Sequence, residues 1–255
     1  MNDIFVYPLQ NSKEYKDIIN CINNNKGSLL INGLLAVQKP HIAYSMYRDL
    51  NRQTIFITNS DLEAKKVYDD LSFYMKDKVE YIGFQDILFY HLDAKDRSEE
   101  AKRLKVLLKL AKGENIILVT SIEAVMRKYI PKEILLENIY TYKIGDVINL
   151  EKLSETLVNL GYERVSKIEG FGQFSIRGGI VDIFSLEYNN PIRMELFDDE
   201  IDSIRTFDVF SQKSIEKINK FSITPSREFI YPENVEEAID KIKKDTDKNT
   251  NEDVF

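Results

Sequence analysis

Two stretches carry residue types that could do chemistry. The first is SLLINGLLAVQKPHIAYSMYRDL, residues 28–50. A short apolar segment, a glycine-containing loop and a helix after Pro40 make the frame in which backbone N–H groups cradle a phosphate. Gly33 and Lys39 keep the spacing of G-x-x-x-x-G-K-[ST]. The donors and the metal ligand are missing: Ala36 and Gln38 stand where glycines are needed, and Pro40 stands where a hydroxyl would hold magnesium. The stretch reads as a dead nucleotide site; an ordinary strand–helix connection with a solvated lysine predicts the same inactivity. The second stretch is RGGIVDIF, Arg177 to Phe184. Gly178-Gly179 supplies a tight turn needing positive φ. In the strand that follows, Ile180, Asp182 and Phe184 alternate with Val181 and Ile183. Burying Asp182 unpaired is costly, so its face is expected to be the wet one. That leaves Phe184 exposed beside Arg177, an arrangement suited to a partner contact.

Other chemistries find little support. Cys21 is the single cysteine, so no internal disulfide forms, and a reducing, cytoplasmic setting fits. It sits in the apolar helix face IINCI and is expected to be a buried structural thiol. His41 and His91 have no ligand partners at zinc spacing. The net charge of −7 argues against this chain alone gripping a phosphate backbone. The aromatics Phe84, Phe89 and Tyr90 could stack on bases, though a loop pinned to its own domain is the more common use. No apolar run is long enough for a transmembrane helix, the N-terminus does not read as a signal peptide, and no membrane partner is expected.

The elements that must position these residues follow from periodicity. Helices are expected over residues 12–25, 41–50, 62–74, 98–112 and 122–128. Strands are expected at SLLI (28–31), TIFIT (54–58), VEYI (79–82) and NIILVT (115–120). Apolar strands alternating with helices predict an α/β domain with a parallel sheet over residues 1–138. A second domain over 139–223 reads as mainly antiparallel α+β: a strand at 139–144, a helix at 150–160 stopped by Gly161, two hairpins and a closing strand within 162–208, and a strand at 218–223. Residues 224–255 begin a third segment. Its strand and helix near residue 233 give way to the polar tail DTDKNTNEDVF, and the abrupt stop is expected of a piece of a longer protein.

Several motifs carry a resemblance. Residues 177–184, Pro191-Ile192-Arg193, Asp198 to Arg205, Phe207-Asp208 and Ser211-Gln212-Lys213-Ser214 resemble the transcription-repair coupling factors (Mfd). More narrowly they resemble that family's N-terminal module, which is similar to part of the excision-repair protein UvrB. The match is specific over residues 138–228 and weaker but collinear over 28–130. It implies a degenerate helicase-like first domain, an inserted domain that docks UvrA, and a return segment, here truncated, that completes the first. RNA polymerase and DNA would be met by other parts of such a protein. ATP and magnesium would serve only a motor outside these residues, so no cofactor is expected here.

The resemblance also implies site residues. UvrB uses three arginines of its inserted domain against UvrA. The first falls on Arg164, two residues after Tyr162, and the third on Arg177. The second falls on Ser175, a departure that would weaken the contact or shift it to Arg193, Lys167 or Phe184. The region matching UvrB's long DNA-clamping hairpin, residues 83–96, is too short for it. Three readings compete: a module that recruits UvrA, an ATP-hydrolysing enzyme of the UvrB kind, and a structural module restraining a larger protein. Pro40 disfavours the second. Without the resemblance, Arg164 and Arg177 would be two solvated strand-end arginines; with it, they form the interface, side by side on one exposed face.

Overall fold

Capping residues and apolar spacing set the local structure, and in the computed structural model they do so over residues 4–24, 27–84, 97–228, 230, 239–240 and 243–244, those that the structure describes. The chain divides into two compact units. Unit 1 is Met1–Lys95 with Val106–Tyr129; unit 2 is Asp96–Lys105 with Ile130–Phe255.

Unit 1 opens with α1 (Tyr7–Gln10) and α2 (Lys13–Asn23). Ser12 caps α2 by accepting from the Tyr15 amide at 3.1 Å, the single bond of a partial cap. Then come α3 (Gln38–Leu50), β1 (Thr54–Thr58), α4 (Asp61–Tyr74), β2 (Val79–Ile82), α5 (Arg97–Ala111), β3 (Ile117–Ser121) and α6 (Ile122–Val125). Ser60 and Ser121 cap α4 and α6 in the same way as Ser12. The first half of α5 is counted with unit 2. The sheet is parallel with order β1-β3-β2. Ala64, Val67 and Leu71 of α4 and Tyr44 and Tyr47 of α3 pack with Ile117 and Val119. Leu118 and Ile82 pack instead with Val106 of α5 and Ala124 of α6. The central strand is thus buried along its whole length, as parallel strands require.

One expected strand is not there. Among the described residues, 28–31 pair with no strand, and the sheet has three strands rather than four. Leu29 and Leu30 are exposed, the latter by 82%. Apolar composition suits a strand but does not supply a neighbour to pair with, and among the described residues β1 pairs on one side only. The expected helix near residue 233 and most of the aromatic loop lie outside the described residues.

Unit 2 contains α7 (Lys132–Glu137), β4 (Tyr140–Lys143), α8 (Leu150–Asn159), β5 (Glu163–Arg164), β6 (Gln173–Arg177), β7 (Ile180–Ile183), β8 (Ile192–Phe197), β9 (Glu200–Phe207), β10 (Ser214–Lys217) and β11 (Lys220–Ile223). A six-stranded sheet runs β10-β9-β8-β7-β6-β5, antiparallel except for the short β5–β6 pair; β4 and β11 form a separate antiparallel pair. Leu153 and Leu157 of α8 pack on Phe174, Val181, Ile183, Ile192, Met194 and Ile204. Gly178 takes φ +59 in the β6–β7 turn. A Cβ on Gly179 would lie 3.0 Å from the Leu196 carbonyl oxygen, so both glycines are needed. β10 is an edge strand that sequence patterning missed. It is exposed at every position, and it carries a bulge and Lys217, features that discourage further pairing.

Candidate docking face

Strand alternation sends every second residue of β6 to β9 away from the α8 core. In register across four strands these form the row Ser175, Asp182, Arg193, Arg205. A second row holds Arg177, Ile180, Glu195 and Ser203. Two arginines directly opposite each other repel, and the sheet resolves the Arg193–Arg205 juxtaposition by giving each its own carboxylate. Arg193 grips Asp182 with both ends of its fork, Nε to Oδ1 at 2.6 Å and Nη2 to Oδ2 at 2.8 Å. The same Nη2 donates to Gln212 Oε1 at 3.0 Å, and the guanidinium lies 4.2 Å over the Phe207 ring. Arg205 forks onto Glu195, which also accepts from the Ser203 hydroxyl at 3.0 Å. The electrostatics follow. Hydrogen bonds from Arg205 hold the Glu195 carboxyl below its usual range, and those to Asp182 raise the Arg193 guanidinium further.

Arg177 is different. Its Nη2 donates to Asp182 Oδ2 at 2.7 Å, yet half of its side-chain surface is open to water. It is the most exposed cation of this network, where Arg193 and Arg205 are 14% and 22% exposed.

Three expectations about placement are corrected here. Asp182 does not face water: it is 2% exposed, and the bidentate grip of Arg193, to which Arg177 adds one bond, makes its burial tolerable. Phe184 is not an exposed anchor: it is 6% exposed and packs on Phe171 at 4.2 Å between ring centroids. Its alternation was right, but the chain folds over that end of the face, and Phe171 is the ring left 43% exposed. Arg164 and Arg177 are not side by side. Arg164 is in register with Phe174, so it belongs to the α8 side of the sheet, where it lines an open groove with Leu150, Glu151, Ser154, Glu155 and Ile176. Ser175, at the second arginine position, is buried and donates to the Ser166 carbonyl at 3.2 Å. Glu195, Arg205 and Gln212 were missed. The alternation of Arg193 with Glu195 was the available signal; Gln212 comes from a turn that periodicity does not reach.

In unit 1, three amides of the stretch read above as a phosphate loop bond within that stretch. The Leu35 amide donates to Gln38 Oε1 at 2.9 Å, the Gln38 amide to the Leu35 carbonyl at 3.0 Å and the Lys39 amide to the Ala36 carbonyl at 3.3 Å. Pro40, in the first turn of α3, has no N–H and is buried, while Gly33 takes φ +82 in an exposed loop. Phe84, the described end of the aromatic loop, is 48% exposed, and its amide donates to Asp61. Cys21 is a free thiol, half-buried rather than buried. Among the described residues no group of three or more His, Cys, Asp or Glu could hold a metal, and no helix is long and apolar enough to cross a membrane.

Residues 141–229, which hold the six-stranded sheet, α8 and the arginine–carboxylate network, match the UvrB interaction domain family. The resemblance extends over almost the whole chain, to transcription-repair-coupling factors. That of Bacillus subtilis (strain 168) is 33% identical over 236 residues, 92% of this chain and 20% of that protein. The Staphylococcus epidermidis RP62A and Staphylococcus aureus Mu50 proteins are 32% and 33% identical over 82% of the chain and 18% of their own lengths. The chain therefore spans about a fifth of the length of the curated relatives it matches.

Proposed function

We propose that this chain is the UvrA-docking part of a transcription-repair coupling factor, bringing the excision-repair machinery to RNA polymerase stalled on damaged DNA in the cytoplasm. Polymerase and DNA would be engaged elsewhere in the longer protein. Unit 1 is then a degenerate helicase-like domain without ATPase activity, a reading supported by loop amides that bond to the loop itself and by Pro40. One observation carries the docking assignment. The segment matching the UvrB interaction domain contains the whole six-stranded sheet, whose polar face presents a half-exposed Arg177 beside Asp182, a carboxylate already gripped by Arg193.

The test is titration of purified UvrA onto the full chain. Truncating an arginine that meets a partner carboxylate costs roughly 2–5 kcal/mol, or about 30-fold to several thousand-fold in affinity. Arg177→Ala is expected to lose capture by that factor with little change in melting temperature. Arg164 lies on the opposite face, so Arg164→Ala weakens capture as strongly only if UvrA wraps the β5 edge. Lys39→Ala should leave binding intact. Full-strength binding by a folded Arg177→Ala chain would sink the assignment.

A further inference from the structure

Asp182 sits between two guanidinium groups but is matched in charge by one. Arg193 already bonds both of its oxygens, is itself mostly buried, and is held by Gln212 and the Phe207 ring. The additional bond from Arg177 is therefore not needed to neutralise the carboxylate. What it does is orient Arg177, a long side chain at the solvent end of β6 that would otherwise sample many rotamers. Only one hydrogen bond of Arg177, from Nη2, goes to Asp182, so a planar fork with further N–H donors is left to meet an incoming carboxylate.

We propose that Asp182 is the positioning residue of the docking face: locked by Arg193, it holds Arg177 ready for a carboxylate of the partner protein. The proposal rests on Arg177 being the docking arginine. Its physical content is pre-organisation, since a side chain already ordered loses less entropy on binding, and one side chain left free costs about twofold to tenfold in affinity. Two other roles make opposite predictions. If Asp182 competes with the partner for Arg177, neutralising it tightens binding. If it only supports the fold, neutralising it weakens binding whether or not Arg177 is present.

The experiment is a double-mutant cycle on the full chain with UvrA as the probe, combined with NMR order parameters of the Arg177 Nε–H in the unbound protein. Asp182→Asn leaves one acceptor oxygen in place of two and removes the charge, so Arg193 and Arg177 compete for a single amide oxygen and the hold on Arg177 weakens. It is expected to weaken binding by about twofold to tenfold, to have no further effect in an Arg177→Ala background, and to lower the Arg177 order parameter towards the flexible range. Tighter binding, equal loss in both backgrounds, or an unchanged order parameter would each overturn the proposal. Should Asp182→Asn not fold, the paired change Asp182→Leu with Arg193→Met removes both buried charges together, and the same drop in the Arg177 order parameter is expected. If Arg177→Ala alone leaves UvrA binding unchanged, the docking assignment has failed, while the order-parameter comparison still decides whether Asp182 holds Arg177.

Discussion

Tyr162 shows how much a single hydroxyl can decide. It lies two residues before Arg164, is 4% exposed, and donates to the Thr224 carbonyl at 2.8 Å. This ties the entry of β5 to the chain leaving β11. Tyr162→Phe leaves that carbonyl buried without its donor and should cost about 1–3 kcal/mol, read as a lower urea midpoint at unchanged m. Burial raises the Tyr162 hydroxyl above its ordinary 10.0. In unit 1, Tyr15 and Tyr81 are raised by burial first and then by hydrogen bonds to Asp49 and Asp61. The sign follows from proton counts. Above pH 10 the unfolded chain releases these protons while the folded chain keeps them, so stability is complete below the unfolded value and falls as pH rises past it. Denaturation midpoints measured upward from pH 10 should decline steeply, and Tyr162→Phe should flatten part of that decline.

At the scale of elements, the β6–β7 hairpin and the edges of the two sheets matter most. Gly178 sits at φ +59, and Gly179 faces the Leu196 carbonyl. Gly178→Ala is expected to destabilise unit 2 by about 1 kcal/mol through the left-handed backbone. Gly179→Ala should cost at least as much, because its neighbour is backbone and yields little. In unit 1 the contrast is between strands. Ile117 of β3 is fully buried and Ile57 of the edge strand β1 is 50% exposed. Ile117→Ala should cost about 2–5 kcal/mol, whereas Ile57→Thr should stay within about 0.5 kcal/mol. Chemical denaturation of the two variants checks both. An equal loss would mean that the open side of β1 is covered in solution.

For the whole molecule, the question is whether any nucleotide acts on it. A site filled to about 100 times its Kd adds about 2.7 kcal/mol to stability, which in a chain of this size raises the melting temperature by several degrees. Millimolar Mg-ATP should raise it by less than about 1 °C, an expectation set against those several degrees. A saturable rise, abolished by Lys39→Ala, would revive the nucleotide reading of the loop. The charge of −7 points the same way, since phosphate ligands meet no net attraction.

Local chemistry was legible because it is written in adjacent residues. Ser12, Ser60 and Ser121 cap the helices that follow them, Gly113 and Gly161 end α5 and α8 at positive φ, and TIFIT, VEYI and most of NIILVT became parallel strands. The alternation of Phe174 and Ile176 against Ser175 and Arg177 also held, so the sequence by itself determined which side chains share a face of each strand. It could not determine what covers that face. Among the described residues SLLI found no strand to pair with, Phe184 was closed over by Phe171, and Asp182 was covered on the outer face because Arg193, eleven residues on, arrived with a bidentate grip. Arg164 and Arg177 parted to opposite sides because a two-residue parallel strand set Arg164 in register with Phe174. Alternation is a property of one strand's backbone, whereas burial, pairing and registration depend on which other strands come to lie beside it, and those contacts form only when the chain closes on itself.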